Sequence, residues 1–315
     1  MGESSQFSAS RKVWTTLITN AQYLPGLLTL AFSLEKQNSK YPLVALYTDG
    51  FPSEGQAVLA ARGILTQRIE YLKPKGDVDY SKDPRFHDCW SKLTPFGLLE
   101  YDRVVQLDSD MVVLRNMDEL MDLELDAPEL AGMGVRVFAA GHACICNPLK
   151  KTHYPKEWIR ENCAFTTQHS TPLIAQTTAP PTNASPLGFI NGGLQVVNPS
   201  RAVFNLILAH LESNAVLKAD FADQSLLSDL FQGRWVPLPY VYNALKTLRW
   251  PGVHAEIWRD DEVKNIHYIL TPKPWEEIDD TGRNTSHDPT HALWFTVNAE
   301  RVASEQVRNI PPYYL

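Results

Sequence analysis

The sequence predicts an α/β fold in which a mostly parallel, Rossmann-like sheet is flanked by helices. Short apolar and β-branched segments alternate with segments whose apolar residues recur at helical spacing. Acidic residues follow one apolar segment directly, as at the end of a strand in such a sheet. Neither an internal repeat nor a Gly/Ser-rich linker divides the 315 residues, so we expect a single domain over residues 1–315.

The first third of the chain shows the alternation most clearly. Strands are predicted at residues 13–19, 43–47, 69–72 and 104–107. Helices are predicted between them at residues 24–34, 57–64 and 90–99. Parallel strands connected by helices present their carboxyl ends at one edge of the sheet, where ligands bind in such folds.

Residues 141–187 differ from the rest because they are rich in Pro, Thr and Ser and contain three of the four cysteines. We interpret them as an insertion or lid that shapes an acceptor site. Regular structure is predicted again afterwards, as a strand at 189–197 and helices at 200–211, 224–231 and 288–307. Asn198 is the expected N-cap of the 200–211 helix, with Pro199 in its first turn.

The stretch Leu107-Asp108-Ser109-Asp110 places two carboxylates between two apolar runs. Buried charge is costly without a partner, and one hard divalent cation can accept both carboxylates together with phosphate oxygens. A solvated turn is the simpler alternative. Residues 108–112 also resemble the nucleophile loop of haloacid-dehalogenase-type phosphatases, with Asp108 as the nucleophile.

Four further features accompany the paired acids. Lys92 precedes the fourth strand and can neutralise phosphate, although a surface lysine is an equal alternative. Asn191-Gly192-Gly193 places glycines inside a strand, which indicates a close approach by ligand or backbone, or a bulge. Asp220, Asp223 and Gln224 lie at a predicted helix start, where one acid can be a simple cap. His267 suits a mixed metal site, and Lys273 lies between two prolines.

Several classes of protein are disfavoured. A net charge of −7 without a Lys/Arg-rich run argues against nucleic-acid binding. No apolar run approaches 18 residues and no signal peptide is recognisable, so we expect no membrane span and a cytoplasmic protein with reduced thiols. Gly132-Met-Gly134 lacks the third glycine of a dinucleotide fingerprint. Cys144, Cys146 and Cys163 with His142, His153 and His169 are candidate zinc ligands, but their spacing fits no common zinc pattern.

Taken together, the motifs resemble those of family 8 glycosyltransferases, the group that contains glycogenin and galactinol synthase. The resemblance covers residues 14–275 apart from 141–187. Its motifs are Leu17-Ile-Thr-Asn20, Trp90-Ser-Lys-Leu93, Leu107-Asp-Ser-Asp110, Phe189-Ile-Asn-Gly-Gly193, Asp223-Gln224, and His267 with Lys273-Pro-Trp275. It implies a GT-A fold, a UDP-sugar donor, Mn²⁺ with Mg²⁺ as an alternative, and retention of anomeric configuration.

The resemblance also implies roles for individual residues. The implied metal ligands are Asp108, Asp110 and His267. The implied donor-binding residues are Leu17, Thr19, Asn20 and Tyr23 for uridine, Lys273 for the diphosphate, Lys92 for phosphate and sugar, and Ser109. The implied sugar-pocket residues are Asn191, Gly192, Asp220, Asp223 and Gln224, of which Asp220, Asp223 and Gln224, with Lys92, are the catalytic candidates.

Two departures from the family pattern concern the segment around the histidine. The family often has glycine three residues after it, where this chain has Leu270. The segment 243–252, which precedes it, lacks the tyrosine that glycogenin glucosylates on itself, so self-glucosylation is disfavoured.

The expected function is transfer of a hexose from UDP-glucose or UDP-galactose to a hydroxyl acceptor, expected to be small and soluble, such as a polyol or inositol. Retention requires either a double displacement, with Asp220 or Asp223 as the nucleophile, or same-face attack. The sequence does not choose between them. The alternatives are the phosphatase and a non-catalytic sugar-nucleotide-binding scaffold, and a homodimer is among the assemblies considered.

Overall fold

The computed structural model describes residues 11–76, 86–183, 188–213, 216, 221–279, 281 and 283–313. The strands are β1 Lys12–Ile18, β2 Leu43–Tyr47, β3 Leu65–Arg68, β4 Arg103–Leu107, β5 Met111–Val113, β6 Phe138–His142, β7 Ile190–Val197, β8 Val236–Pro237, β9 Ala244–Leu245 and β10 Asn265–His267. The α-helices are α1 Leu24–Lys36, α2 Ser53–Ala60, α3 Phe86–Cys89, α4 Arg201–Leu211, α5 Ala222–Leu230 and α6 Pro289–Val307.

Short 3₁₀ helices fill many of the connections. They are Ala21–Tyr23, Trp90–Gly97, Asp118–Asp122, Pro128–Leu130, Arg160–Asn162, Ala164–Ser170, Tyr240–Tyr242, Lys246–Arg249 and Pro274–Glu276. Within the described residues, no helix combines the length and the apolar character needed to cross a bilayer.

The central sheet has seven strands in the order β3-β2-β1-β4-β7-β6-β8. Four of its six described pairings are parallel, and β7 runs antiparallel to both neighbours. The prediction of a mostly parallel sheet flanked by helices is therefore confirmed. Because β1 and β4 are parallel and in register, with Thr16 opposite Leu107, the residues that follow both strands emerge at one edge.

Strand β7 brings its amino end to the same edge. It pairs with β4 so that Leu194 lies opposite Leu107, and the Asp108 N–H donates to the Gly193 carbonyl at 2.8 Å. The segment Asn191–Gly193 consequently lies beside the paired acids, although some 80 residues separate them in sequence.

A second sheet of three short strands, β5-β10-β9, completes this edge. In the antiparallel pair of β5 and β10, His267 lies opposite Met111, and the Tyr268 N–H donates to the Asp110 carbonyl at 2.9 Å. Strand β9 runs parallel to β10 and places Leu245 beside His267. The pairing thus fixes the histidine next to the second acid.

Most predicted elements are present, and four predictions differ. The helix predicted over 90–99 is a 3₁₀ helix, Trp90–Gly97. Helix α2 is Ser53–Ala60, so it begins and ends four residues earlier than the predicted 57–64 range, and it stops before Gly63, whose φ of +69° reverses the chain. Strand β3 accordingly also comes earlier than predicted, and Ile69 follows it. Asn198 does not cap α4: its side chain donates to the Asp126 carbonyl, and Ser200 is the N-cap.

Candidate active site

A cavity of about 240 Å³ opens at the edge where β1, β4, β7 and the small sheet meet. It gathers nearly all of the predicted site residues that the structure describes. Those lining it are Leu17, Thr19, Asn20, Tyr23, Lys92, Asp108, Ser109, Asp110, Asn191, Asp223, Gln224, His267 and Lys273. Gly192 lies behind this surface rather than on it, and Asp220 lies outside the described residues.

The two acids and the histidine converge on one point. Ligand-type atoms of Asp108, Asp110 and His267 all lie within 4.8 Å of one another. The His267 Nε2 atom is 3.5 Å from Asp108 Oδ2 and 3.3 Å from Asp110 Oδ1. Two carboxylates and one imidazole form a ligand set that a divalent first-row ion accepts.

A chain of hydrogen bonds determines which nitrogen of His267 is available. The Gly193 N–H donates to Asn191 Oδ1 at 3.1 Å, which fixes that atom as oxygen. Asn243 Nδ2 donates to the same oxygen at 2.9 Å, so Asn243 Oδ1 faces His267 Nδ1, also at 2.9 Å. Nδ1 therefore carries a proton, and Nε2 is the nitrogen that faces the carboxylates. This is the arrangement that metal-binding histidines adopt, so the residues fit a metal ion.

Two lysines balance the carboxylates. Lys92 Nζ lies 2.7 Å from Asp108, and the buried Lys273 Nζ lies 2.5 Å from Asp110 and donates to the Tyr268 carbonyl at 2.7 Å. The two pairs cancel in formal charge, so a divalent cation would leave the site with a net positive charge. Such a site attracts a polyanion, such as a diphosphate.

The pKa values reflect these contacts. Burial raises the pKa of both carboxyls, but the lysine beside each holds it below its usual range, and well below for Asp110. Burial lowers the pKa of His267, yet Asp110 and Asp108 raise it above its ordinary value. Both acids are consequently ionised and available as ligands at neutral pH.

Asp223 has a different environment. Its side chain is buried, and Oδ2 has no hydrogen-bond partner among the described residues. Burial raises its pKa to about 7, with Lys92 lowering it and Asp108 raising it. A Cβ at Gly192 would collide with this carboxylate, and the Gly192 N–H donates to Gln224 Oε1 at 2.8 Å. The glycine therefore lets Asp223 and Gln224 approach the strand, and Asp223 Oδ2 lies buried against it.

The loop after β1 forms another wall. Thr19 Oγ1 donates to Asp88 Oδ2 at 2.7 Å, which connects this loop to α3. The Tyr23 ring packs edge-on against Trp275 with 5.9 Å between centroids, and Lys273 Nζ lies 5.7 Å from the centre of the Tyr23 ring.

Asp88 and Asn243 were not predicted as site residues. No local pattern marks either of them, because their partners are distant in sequence.

The profile of glycosyl transferase family 8 matches residues 15–279. The chain belongs to this family. It is 29% identical to galactinol synthase 1 of Ajuga reptans over 91% of this chain and 79% of that protein, and 28% identical to galactinol synthase 4 of Arabidopsis thaliana over 87% and 77%. The solved galactosyltransferase LgtC, in complex with donor and acceptor sugar analogues, has a similar fold, with a TM-score of 0.56 and 14% identity over 91% of this chain and 96% of that one.

The family assignment confirms three predictions: the resemblance, the GT-A fold class and an enzyme of the hexosyltransferase kind. It favours the hexosyltransferase over the phosphatase and the non-catalytic scaffold. In this family 8 member, Leu270 takes the place of the expected glycine. Its φ is +65°, a conformation that glycine adopts far more readily. The backbone of the loop thus keeps a glycine-like form although the side chain differs.

The 141–187 segment supplies an aromatic wall to this family 8 site. Tyr154 and Trp158 line the cavity together with Phe221, and Trp158 stacks on Phe221 with 4.4 Å between centroids. The first two residues of the segment belong to β6, so the sheet leads directly into this wall.

Proposed function

We propose that the protein transfers a hexose from a UDP-sugar to a hydroxyl of a small soluble acceptor, with retention of configuration. The observation that carries the proposal is the group Asp108, Asp110 and His267, flanked by Lys92 and Lys273 in one cavity. With a divalent cation bound, this group would carry a net positive charge, which favours a donor that contains a diphosphate.

Asp108, Asp110 and His267 would hold a divalent cation. Mn²⁺ is the preferred candidate because it accepts imidazole beside carboxylates more readily than Mg²⁺. Bound there, the cation supplies a Lewis acid that neutralises charge on the leaving nucleoside diphosphate. The chain itself contributes Lys273, whose ammonium group is held in place by Asp110 and the Tyr268 carbonyl and adds a fixed positive charge.

We assign the sugar to the end of the cavity beside Asp223 and Gln224. Asp223 lines this end of the cavity, where its carboxyl can accept from a sugar hydroxyl, and its raised pKa allows the carboxyl also to donate. Because Gln224 Oε1 is occupied by the Gly192 N–H, its amide NH₂ group is the part left for a ligand. Lys92, which pairs with Asp108 and also lowers the Asp223 pKa, would serve both ends.

This arrangement favours same-face attack over double displacement among the described residues. A nucleophilic carboxylate must be ionised, and burial, which raises the Asp223 pKa to about 7, works against the ionised form. In same-face attack the leaving phosphate oxygen takes the proton of the acceptor hydroxyl, and the residues of the chain hold both substrates in position. A glycosyl adduct on Asp223, trapped and identified by mass spectrometry, would instead establish the double displacement.

For the acceptor we propose a polyol or inositol bound against Tyr154 and Trp158. The names of the relatives support a galactosyl donor and a small acceptor, since several are galactinol synthases. Aromatic rings pack well against the apolar faces of ring polyols.

We also propose that residues 1–315 form one domain with 141–187 as its acceptor-side lid. The central sheet supports this, because its strands come from residues 12 to 237. The cytoplasmic location and the homodimer stay predictions.

The experiment is incubation of the purified protein with a panel of UDP-sugars, with and without Mn²⁺, while UDP release is measured. We expect slow Mn²⁺-dependent hydrolysis of one donor, and faster release when the correct polyol is added. Asp110→Asn should abolish the metal-dependent release. Asp102→Asn, which changes an exposed acid paired with Arg11, is the matched control and should leave it unchanged.

Two results would contradict the proposal. One is turnover by Asp110→Asn close to that of the unchanged protein. The other is the absence of both hydrolysis and a thermal shift with UDP and Mn²⁺, together with phosphate release from simple phosphomonoesters, which would point to Asp108 as a phosphatase nucleophile.

A further inference from the structure

Three cysteines and one histidine meet at a second cluster, away from the paired acids. Cys144, Cys146, Cys163 and His254 each direct one ligand-type atom to a common centre, and these four atoms lie within 4.8 Å of one another. His254 Nε2 is 3.1 Å from Cys146 Sγ and 3.3 Å from Cys163 Sγ. His254 and Cys163 are buried.

The cluster has the composition and size of a structural zinc site. With Zn–S bonds of about 2.3 Å and Zn–N bonds of about 2.0–2.1 Å, a tetrahedral ion holds its ligand atoms roughly 3.5–3.8 Å apart. The observed sulfur–nitrogen distances reach these values after shifts of a few tenths of an ångström. All four cysteines of the chain are described, and none is in a disulfide.

The histidine also has the outer partner that zinc ligands require. His254 Nδ1 lies 2.9 Å from His169 Nε2, so the second nitrogen of the ring is occupied and Nε2 is the one that faces the sulfurs. Arg160 lies 3.2 Å from the other nitrogen of His169 and donates to Glu256 at 2.7 Å, so it does not need that nitrogen as an acceptor. His169 can therefore accept from the zinc-bound imidazole without leaving Arg160 unpaired.

We propose that Cys144, Cys146, Cys163 and His254 bind one Zn²⁺ ion that ties the 141–187 segment to the body of the enzyme. The ligands come from three places in the sequence, with His254 108 residues from Cys146 and 91 from Cys163. The sequence predicts the three cysteines as candidate zinc ligands but groups them with His142, His153 and His169. Nothing in the local sequence marks the distant His254.

The position of the cluster gives the ion a structural task. Between β6 and β7 the described chain forms only short 3₁₀ helices and turns. Long connections of this kind often adopt several conformations unless a further contact constrains them. Cys144 itself lines the active-site cavity, as do Tyr154 and Trp158, which lie between Cys146 and Cys163 in sequence. Zinc would therefore fix the aromatic wall of the cavity.

The test is metal analysis of the protein expressed with zinc in the medium and purified without chelators. We expect about one zinc per chain. Cys163→Ser and His254→Ala should each lose it, whereas Cys89→Ser and Asp110→Asn should retain it. The Asp110→Asn control separates this site from the acidic one, so zinc binding can succeed or fail independently of the proposed sugar transfer.

A second measurement covers variants that fail to fold. The unchanged protein refolded with Co²⁺ should show the visible absorption bands of a tetrahedral thiolate-bound ion, and removal of zinc should make the 141–187 segment susceptible to limited proteolysis. His169→Ala should weaken zinc binding about 10–100-fold. A zinc content in the unchanged protein no higher than in Cys163→Ser, or full retention by both cluster variants, would overturn the proposal.

Discussion

Asn243 contacts His267, one of the three proposed metal ligands, without being a ligand itself. Its amide is held by Asn191 on one side and accepts from His267 Nδ1 on the other. We expect Asn243→Ala to release the imidazole and to weaken Mn²⁺ binding about 10–100-fold, the usual effect of removing an outer-shell partner. The measurement is titration of free Mn²⁺ by electron paramagnetic resonance.

The control for this variant is Asn116→Ala, which removes an exposed asparagine that donates to the Gln37 carbonyl. It should leave Mn²⁺ affinity unchanged. Equal affinities for Asn243→Ala and the unchanged protein would show that packing alone orients His267.

Asp223 should make the stability of the ligand-free protein depend on pH. Its folded pKa of about 7 lies above the unfolded value near 3.9, so the folded state keeps a proton that the unfolded state loses. The stability that this proton contributes is complete below about pH 4 and is lost as the pH rises towards 7. Lys92 and Asp108 are the charged groups that act on it, and they lower and raise the pKa respectively.

Asp223→Asn removes this titration. Relative to the unchanged protein, the variant should gain stability between about pH 4 and pH 7, by at most about 4 kcal/mol, and the gain should then level off. Urea unfolding at a series of pH values measures it, with Asp102→Asn as the exposed control. The same variant should slow transfer, and a pH-independent stability difference would contradict the assigned pKa.

At the residue scale, the sequence predicts those site residues that form a local pattern. The acids of Asp108-Ser109-Asp110 are conspicuous because they interrupt an apolar run. Asn243, Asp88 and His254 carry no such mark, because each acquires its partner only when distant segments pack together. Their roles depend on tertiary geometry that periodicity does not contain.

At the element scale, prediction succeeded where patterns were long or strongly punctuated. Strand β2 matches the predicted range, and α6 begins after Asp288, whose side chain accepts from the Thr290 N–H. It failed at α2 and β3, where the φ of Gly63 rather than the apolar pattern ends the helix. Strands β5, β9 and β10 have only two or three residues each, too few to show a period, yet they place His267 beside Asp110.

Helix α6 is held to the turn after α2 by a buried ion network. Glu305 accepts from Arg62 Nε at 2.9 Å and Nη2 at 2.7 Å, and from Arg301 Nη1 at 2.6 Å, and all three side chains are almost fully buried. Glu305→Ala would leave two guanidinium groups buried without an anion. We expect a loss of about 3–5 kcal/mol in unfolding free energy, measured by urea denaturation.

The same helix provides the comparison. Glu300 forms an ion pair with Lys36 in which both side chains are more than one-third exposed. Glu300→Ala should therefore cost less than about 1 kcal/mol. Similar losses for the two variants would mean that burial does not determine the strength of these pairs.

At the scale of the whole molecule, the carboxy-terminal helix and the active site are connected by a row of aromatic rings. Residues 15–279 match the family, whereas α6 begins at residue 289 and lies beyond the match. Trp294 of this helix lies 5.7 Å from Trp275, which lies 5.9 Å from Tyr23 in the cavity wall, measured between ring centroids. Lys273 in turn lies above Tyr23.

Trp294→Ala should therefore have two effects. Trp294 is fully buried, so its truncation should cost about 3–5 kcal/mol, a large part of the 5–15 kcal/mol typical of a folded protein. The cavity left behind should also let Trp275 and Tyr23 shift, and so weaken UDP binding. Leu293→Ala, which changes an exposed side chain on the same helix, should do neither. Urea unfolding and calorimetric UDP titration measure the two effects separately. If stability falls while UDP affinity is unchanged, α6 supports the fold alone; if both fall, this helix beyond the family match forms part of the support of the donor site.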